Sequence, residues 1–209
     1  SAARTVIRID RNPKGIACDS VGIWLAPEGH VVHYPVRAGR ELAVVVIRKE
    51  AESDQSWVTA VPHEWVKNAV KEFAAPVRNL IETSDSWRKW SLFELPPLKT
   101  WIDDRVVLLG DAAHPVLPFL AQGAVLALED ALTLARCLSD RDDVGAALQT
   151  YQTARSRRAS SVQAASRRNG SIYHLDGRMR RARTVTLTFS PPKRLLASYD
   201  WLYGWKPGI

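Results

Sequence analysis

Short hydrophobic runs with alternating polar residues fill the first quarter of the chain, and turn sequences separate them. NPKG, APEG and RAGR carry the glycine and proline residues that tight turns favour. Alternation with a period of two is typical of half-buried strands. The pattern therefore predicts a small antiparallel sheet. Its expected strands cover residues 5–9, 21–25, 31–36 and 42–47.

Apolar residues at helical spacing predict helices further along the chain. A short amphipathic helix is expected to begin at Pro62, and a second helix is expected over residues 123–139. A longer helix covers residues 144–169 and is expected to end at Gly170, because glycine commonly ends helices. The weaker strand candidates are residues 80–83 and 90–93.

One continuous apolar run, residues 106–109, has charge on one side and Gly110 on the other. This is the pattern of a strand that is buried on both faces. The run leads through a turn into the helix that begins near Gly123. A small sheet, one buried strand that feeds a helix, and long C-terminal helices together predict an α+β fold.

The composition of the 209 residues is globular, with 46% hydrophobic and 24% charged residues, and allows one large domain or two small ones. Cys18 and Cys137 show no metal-binding spacing, which favours a reducing, cytoplasmic setting. No run approaches the roughly 20 apolar residues that span a bilayer, so a soluble protein with no membrane partner is expected.

The net charge of +7 is concentrated between residues 151 and 183, where nine arginines accompany one acid, Asp176. One interpretation is a nucleic-acid-binding module whose helix contacts phosphates. The stretch has neither a recognised reader motif nor interleaved stacking aromatics, which favours a solvated or pairing surface instead.

Asp111 follows Gly110 directly at the end of the apolar run. A carboxylate at this place accepts hydrogen bonds from sugar-type hydroxyls, and a glycine permits close backbone approach. The N–H groups around Gln122, Gly123 and Ala124 offer the positive end of a helix to an electron-rich ligand atom. For the dipeptide alone, an ordinary turn and helix cap is the alternative.

The whole run GDAAHPVLPFLAQGAVLALEDA resembles the second flavin-binding motif of the FAD-dependent aromatic hydroxylases, the salicylate hydroxylase-like flavoprotein monooxygenases. WLAPEGHVVHYPVRAGRELAVVV is similar to the substrate-side sheet of that family, and YQTARSRRASSVQAASRRNGSIYHLDG to its long C-terminal helix. YDWLYGW resembles the family's closing segment, so the resemblance covers nearly all of the chain.

The resemblance implies that Asp111 binds the ribityl chain of FAD, with Gly110 beside it in the cofactor site. The residues that it places beside the isoalloxazine ring are Pro118, Gln122, Gly123 and Ala124. It also implies that NADH or NADPH reduces the flavin, and that one oxygen atom of O2 is transferred to a small phenolic or heteroaromatic acid. A catalytically silent remnant of such an enzyme is the alternative.

Strand alternation places His30 and Tyr34 on one face of the predicted sheet, and His33 on the other. The resemblance gives His30 and Tyr34 contacts with the aromatic substrate. Hydroxylation of a phenol-like ring is electrophilic and is faster when a base removes the proton of the ring hydroxyl, a task that suits histidine. The alternative is a histidine that follows a turn and a tyrosine that packs in the sheet.

Other ionisable residues are expected to be structural. His114 is expected to shape the turn, and Glu129 and Asp130 to serve the helix dipole or internal pairing. His174 has no second ligand at useful spacing, so no metal site is predicted.

No GxGxxG turn occurs in the chain, although the family holds the FAD pyrophosphate with such a turn. We therefore expect a substrate-binding sheet region over residues 1–100, the second flavin motif and C-terminal helices over residues 101–209, and no N-terminal Rossmann part. The chain alone is expected to bind FAD weakly or not at all, and to be inactive. Its expected partners are the missing N-terminal half, a second chain, or another copy in a homodimer.

Overall fold

The structure is a computed structural model, and it describes residues 1–50, 58–84, 86–140 and 142–206. The internal contacts divide the chain into two compact units. Unit 1 comprises Ser1–Leu92 and Ile172–Arg183, and unit 2 comprises Phe93–Ser171 and Thr184–Ile209.

Unit 1 is built on one antiparallel sheet. Its strands are β1 (Ala2–Arg8), β2 (Gly22–Ala26), β3 (Gly29–Val36), β4 (Glu41–Arg48), β5 (Thr59–Ala60) and β6 (Arg88–Trp90). Within the described residues the order across the sheet is β2-β3-β4-β1-β6-β5. The sheet predicted from the alternating pattern is therefore confirmed, and of residues 90–93 only Trp90 belongs to a strand.

One face of the sheet packs against two helices, α1 (His63–Val70) and α2 (Ala75–Ile81). Val31, Val44 and Val46 lie fully buried in this core, where each aliphatic side chain contributes roughly 1.5–3 kcal/mol. α1 follows Pro62 directly, as predicted.

The strand candidate at residues 80–83 is wrong, because α2 extends through Ile81. Pro76 occupies the first turn of this helix, where proline is tolerated. Leu80 and Val77 bury the same side of the helix at a spacing of three residues, which a four-residue window cannot distinguish from a strand.

Unit 2 begins with a small antiparallel pair, β7 (Ile102–Asp103) and β8 (Val106–Val107). The prediction of a four-residue strand buried on both faces is wrong. Only Val106–Val107 is a strand, and Val106 is 66% exposed. Among the described residues β8 pairs with β7 alone, so no second neighbour buries the apolar run.

Five further α-helices lie in the described part of the chain after β8. They are α3 (Gly123–Ser139), α4 (Val144–Tyr173), α5 (Gly177–Phe189), α6 (Pro192–Ala197) and α7 (Asp200–Tyr203). α3 has the predicted bounds, and the α+β fold class is confirmed. None of the helices in the described ranges is both long and apolar enough to cross a membrane.

α4 continues through Gly170, so the prediction that this glycine ends the helix is wrong. A Cβ at position 170 would lie 2.5 Å from Cε2 of Phe119. The glycine therefore permits an aromatic ring to pack on the helix backbone, and it does not act as a terminator.

Candidate functional site

The turn between β8 and α3 is built around Gly110. This residue has a φ of +60°, and a Cβ there would lie 3.1 Å from the Cβ of Ala127 on α3. A side chain would be strained and would push against the helix. Glycine thus lets the turn pack closely on α3.

Asp130 lies fully buried on α3 beneath this turn. Its Oδ2 accepts hydrogen bonds from the N–H of Gly110 at 2.9 Å and from Nε2 of His114 at 2.6 Å, and its Oδ1 accepts one from Nε of Arg155 at 2.6 Å. Burial opposes ionisation of Asp130, but the hydrogen bonds from His114 and Arg155 outweigh it and lower the pKa of the carboxyl group. One carboxylate therefore joins the turn, α3 and α4.

Glu129 forms a second buried ion pair beside the first. Its carboxylate lies 2.8 Å from Nη2 of Arg155 and 2.6 Å from Nη2 of Arg158. The indole ring of Trp205 lies over both guanidinium groups, at 5.1 and 5.4 Å from its centroid. The internal pairing predicted for Glu129 and Asp130 and the structural role predicted for His114 are confirmed. Two of the nine arginines are also engaged inside the protein.

Asp111 differs from these acids in its surroundings. It lies in the short 3-10 helix Gly110–Ala112 and is exposed. Within the part of the chain that the structure describes, no side chain or backbone group forms a hydrogen bond or ion pair with its carboxylate. This carboxylate is thus available to a ligand, whereas Asp130 serves the fold.

The N-terminus of α3 lies next to Asp111. A Cβ built on Gly123 would lie 3.7 Å from Oδ1 of Asp111. Gln122 is the N-cap residue, but no side chain caps the helix. Gln122 is buried, and its Oε1 has no hydrogen-bond partner among the described residues. Ala124 follows in the first turn and is exposed.

The segment that precedes α3 has two further features. Pro118 begins a 3-10 helix, Pro118–Leu120, and is exposed. Ala121 then adopts a φ of +53°, which costs a residue with a side chain about 1–3 kcal/mol and is characteristic of functional turns. The sequence contains no glycine there and gives no sign of this strain.

An exposed carboxylate beside an uncapped helix N-terminus suits a ligand that carries hydroxyl groups and an electron-rich edge. The ribityl chain of a flavin would offer hydroxyl donors to Asp111, and the pyrimidine edge of its ring would offer acceptors to the N–H groups at Gly123 and Ala124. The residues present in unit 2 therefore fit the flavin part of FAD.

The two predicted substrate residues lie on β3 of unit 1. His30 pairs with Ile47 and Tyr34 with Ala43 on β4, so both occupy the sheet face opposite the α1 and α2 core. Tyr34 is half-buried, whereas His30 is only 1% exposed. Burial, together with the smaller effect of the neighbouring His174, lowers the pKa of His30 to about 3.

His174 is a contact of this site that sequence patterns do not indicate. Its Nε2 lies 2.9 Å from Nδ1 of His30, and the ring of Tyr173 meets the His30 ring edge-on at 5.2 Å. The two histidines are 144 residues apart, so no spacing rule relates them. Among the described residues, no group of three histidine, cysteine, aspartate or glutamate side chains could hold a metal ion.

Residues 9–166 match the protein family described as FAD binding domain. The chain belongs to this family. It is 34% identical over 206 residues to a 3-hydroxybenzoate 6-hydroxylase of Polaromonas naphthalenivorans (strain CJ2), which covers 98% of the chain and 52% of that relative. It is 35% identical over 206 residues to a 3-amino-4-hydroxybenzoate 2-monooxygenase of Streptomyces platensis, covering 97% of the chain and 51% of the relative.

A solved salicylate hydroxylase substrate complex has the same fold, with a TM-score of 0.82 and 25% identity over 98% of this chain and 54% of that one. The resemblance to FAD-dependent aromatic hydroxylases is therefore confirmed, and so is FAD as the cofactor of the family. The chain spans about half the length of the curated relatives that it matches.

Proposed function

We propose that these residues form part of an FAD-dependent monooxygenase that hydroxylates a small phenolic or heteroaromatic acid with NADH or NADPH and O2. The names of the hydroxybenzoate and aminohydroxybenzoate relatives support this substrate class. The observation that carries the proposal is the exposed carboxylate of Asp111 beside the uncapped start of α3.

In the proposed site, unit 2 holds the flavin. Asp111 accepts hydrogen bonds from the ribityl hydroxyls, and Gly110 keeps the turn close to α3. The N–H groups of Gly123 and Ala124, with Gln122 and Pro118 nearby, face the pyrimidine edge of the ring. A helix N-terminus favours negative charge at that edge by about 0.3–1 kcal/mol.

FAD held by these residues would supply the redox chemistry, with NADH or NADPH as the reductant and O2 as the source of the transferred oxygen atom. Unit 1 supplies the substrate-binding residues in this proposal. Tyr34 orients the aromatic ring, and His30 takes part in removing the hydroxyl proton, which raises the electron density of the ring. The sheet region of residues 1–100 and the flavin motif of residues 101–209 thus have separate tasks.

The pyrophosphate of FAD needs a further binding element, because these residues contain no GxGxxG turn. We propose that polypeptide outside them supplies it, either in the same protein or as a second chain. The greater length of the relatives is consistent with this arrangement.

The test is hydroxylation by the FAD-loaded holoenzyme under labelled oxygen. The holoenzyme is incubated under 18O2 with NADH or NADPH and one of three acids: 3-hydroxybenzoate, salicylate or 3-amino-4-hydroxybenzoate. The masses of the products are then measured by mass spectrometry. We expect one 18O atom in the hydroxylated product of at least one acid. Product oxygen that comes from water, or NAD(P)H oxidation without product for all three acids, would contradict the proposal.

A further inference from the structure

Arg158 of α4 binds two other elements of unit 2. Its Nε and Nη2 donate to the two carboxylate oxygens of Glu129 on α3, at 2.7 and 2.6 Å. Its Nη1 donates to the carbonyl of Trp201 and its Nη2 to the carbonyl of Leu202, both at 3.0 Å. Both carbonyls belong to α7 near the end of the chain. One guanidinium therefore fastens α7 to α3, and the three donors of a lysine are too few for these four hydrogen bonds.

A row of alternating charges runs from Arg158 to the turn at Gly110. Glu129, which Arg158 binds, also lies 2.8 Å from Nη2 of Arg155. Arg155 donates to Asp130, and Asp130 accepts a hydrogen bond from the N–H of Gly110. Glu129, Asp130 and Arg155 are buried, so each charge depends on its neighbours in the row. The row therefore connects α7 to the turn whose next residue is the proposed ribityl ligand.

Leu202 of α7 forms a second link to the start of α3. Its side chain is 1% exposed and packs in a core cluster with Leu120, Leu126 and Val162. Leu126 lies in the first turn of α3, and Leu120 directly precedes Ala121, whose φ is +53°. A residue in such a conformation persists only where the surrounding contacts hold it. The packing of Leu202 therefore supports the strained segment that leads into the proposed flavin site.

We propose that Arg158 and the C-terminal segment, residues 199–206, form a latch that positions the flavin-binding groups of unit 2. Arg158 is a positioning residue in this inference, because it acts through Glu129 and α7. The inference rests on the proposed function and adds to it a part of the chain that contains none of the proposed flavin contacts. With the latch closed, the carboxylate of Asp111 and the N–H groups of α3 are held in place before FAD binds, so binding requires little further ordering.

The test compares two quantities for each variant: the Kd of FAD for the complete enzyme, from flavin fluorescence, and the urea midpoint of its apoprotein. Arg158→Met is expected to raise the Kd of FAD about 10-fold, because the residues that contact the flavin lose their support. Arg158→Lys keeps the charge but lacks donors, so a rise of about threefold is expected. Leu202→Ala removes the apolar link and is expected to raise the Kd about as much as Arg158→Met.

Two controls separate positioning from charge and from stability. Arg167→Met removes an arginine of the same helix whose side chain is 39% exposed and lies 3.5 Å from Glu94. Leu80→Ala truncates a side chain that is 1% exposed in the core of unit 1, which lowers the urea midpoint. The Kd of FAD is expected to stay within about twofold of the parent in both, because neither side chain belongs to the latch.

An unchanged Kd of FAD in Arg158→Met, together with a lowered urea midpoint, overturns the inference and leaves the proposed function standing, because Arg158 then only stabilises the fold. Equal rises of the Kd in Arg158→Met and Leu80→Ala also overturn it, since any loss of stability would then weaken FAD binding. If Arg158→Met does not fold, Arg158→Lys decides in its place, and an unchanged Kd again overturns the inference. Failure of the parent enzyme to bind FAD refutes the proposed function itself.

Discussion

Two aspartates of unit 2 show how neighbouring acids acquire opposite roles. Asp130 receives three hydrogen bonds inside the protein, from Gly110, His114 and Arg155. Asp111, one residue from Gly110, receives none among the described residues. A buried carboxylate requires partners, whereas an exposed one is stable in water and can exchange that water for ligand hydroxyls.

Replacement of Asp111 by alanine is expected to weaken FAD binding 10- to 100-fold, because hydrogen bonds to a charged group contribute about 1.5–3 kcal/mol. The free energy of unfolding without FAD should change by less than about 0.5 kcal/mol, since the side chain is exposed. Flavin fluorescence titration and urea unfolding measure the two quantities. Asp103→Ala, at an exposed acid of the same unit, is the control. Equal FAD affinity in both variants would remove Asp111 from the site.

Replacement of Asp130 by asparagine is expected to destabilise the protein by roughly 3 kcal/mol, because His114 loses its carboxylate partner and buried Arg155 keeps only Glu129. The amide NH2 group of the asparagine would also face a hydrogen-bond donor, because both oxygens of Asp130 accept hydrogen bonds. Urea unfolding measures the loss, with Asp103→Asn expected below about 0.5 kcal/mol. A loss as small as that of the control would show that Asp130 does not hold the turn.

The lowered pKa of Asp130 gives this loss a pH dependence. A carboxylate whose pKa is lowered by folding contributes stability above its unfolded value of about 4, and the contribution is lost as the pH falls through the folded value. Parent and Asp130→Asn stabilities should therefore converge below about pH 4. Curves that stay parallel down to pH 2 would argue against the network.

His30 is expected to make the free energy of unfolding depend on pH between about 6.5 and 3. The unfolded chain binds a proton at this residue as the pH falls below about 6.5, whereas the folded chain does not until about 3. Its contribution is therefore complete above pH 6.5 and declines between 6.5 and 3. His30→Gln should flatten the stability curve in this window, as followed by urea unfolding at each pH. A parent curve already flat there would show that His30 is not buried.

At the scale of elements, the spacing of apolar residues along the sequence predicts local secondary structure. It finds the strands of unit 1, the helix after Pro62 and the bounds of α3. The spacing fails to predict the structure where a contact with a distant residue determines it. At Gly170 the ring of Phe119 occupies the space that a Cβ would fill, so the glycine is needed inside the helix. The spacing also fails for residues 106–109, whose burial depends on neighbours that the described chain does not provide.

Two glycines of α4 offer a matched test of this explanation. Gly170→Ala is expected to destabilise the protein by about 1–3 kcal/mol through overpacking against Phe119. Gly145→Ala, at the exposed start of the same helix, is expected to be neutral or to stabilise by up to about 1 kcal/mol. Thermal and urea unfolding measure both. Similar effects at the two positions would show that glycine acts only through helix propensity.

At the scale of the whole molecule, the candidate site was predictable where one motif contains it. Gly110, Asp111, Gln122 and Gly123 lie within one short stretch, and the structure brings them together. The His30 and His174 contact was not predictable, because it joins residues far apart in the chain.

The sequence allowed two interpretations of the arginine-rich stretch, a nucleic-acid-binding module or a solvated or ion-pairing surface. The contacts in the structure favour ion pairing. Glu129 binds Arg155 and Arg158, and Glu94 lies 3.5 Å from Arg167. Three arginines of the stretch thus pair with acids that lie outside it.

The most direct test of the central claim is an FAD titration of the isotope-labelled chain, followed residue by residue by two-dimensional 15N–1H NMR. Even millimolar binding shifts the amides that contact the ligand. We expect the largest shifts at Gly110, Asp111, Gly123 and Ala124, none of comparable size with AMP, and their loss in Asp111→Asn. If these four amides stay unmoved at the highest FAD concentration, or if AMP moves them equally, unit 2 does not hold the flavin as described.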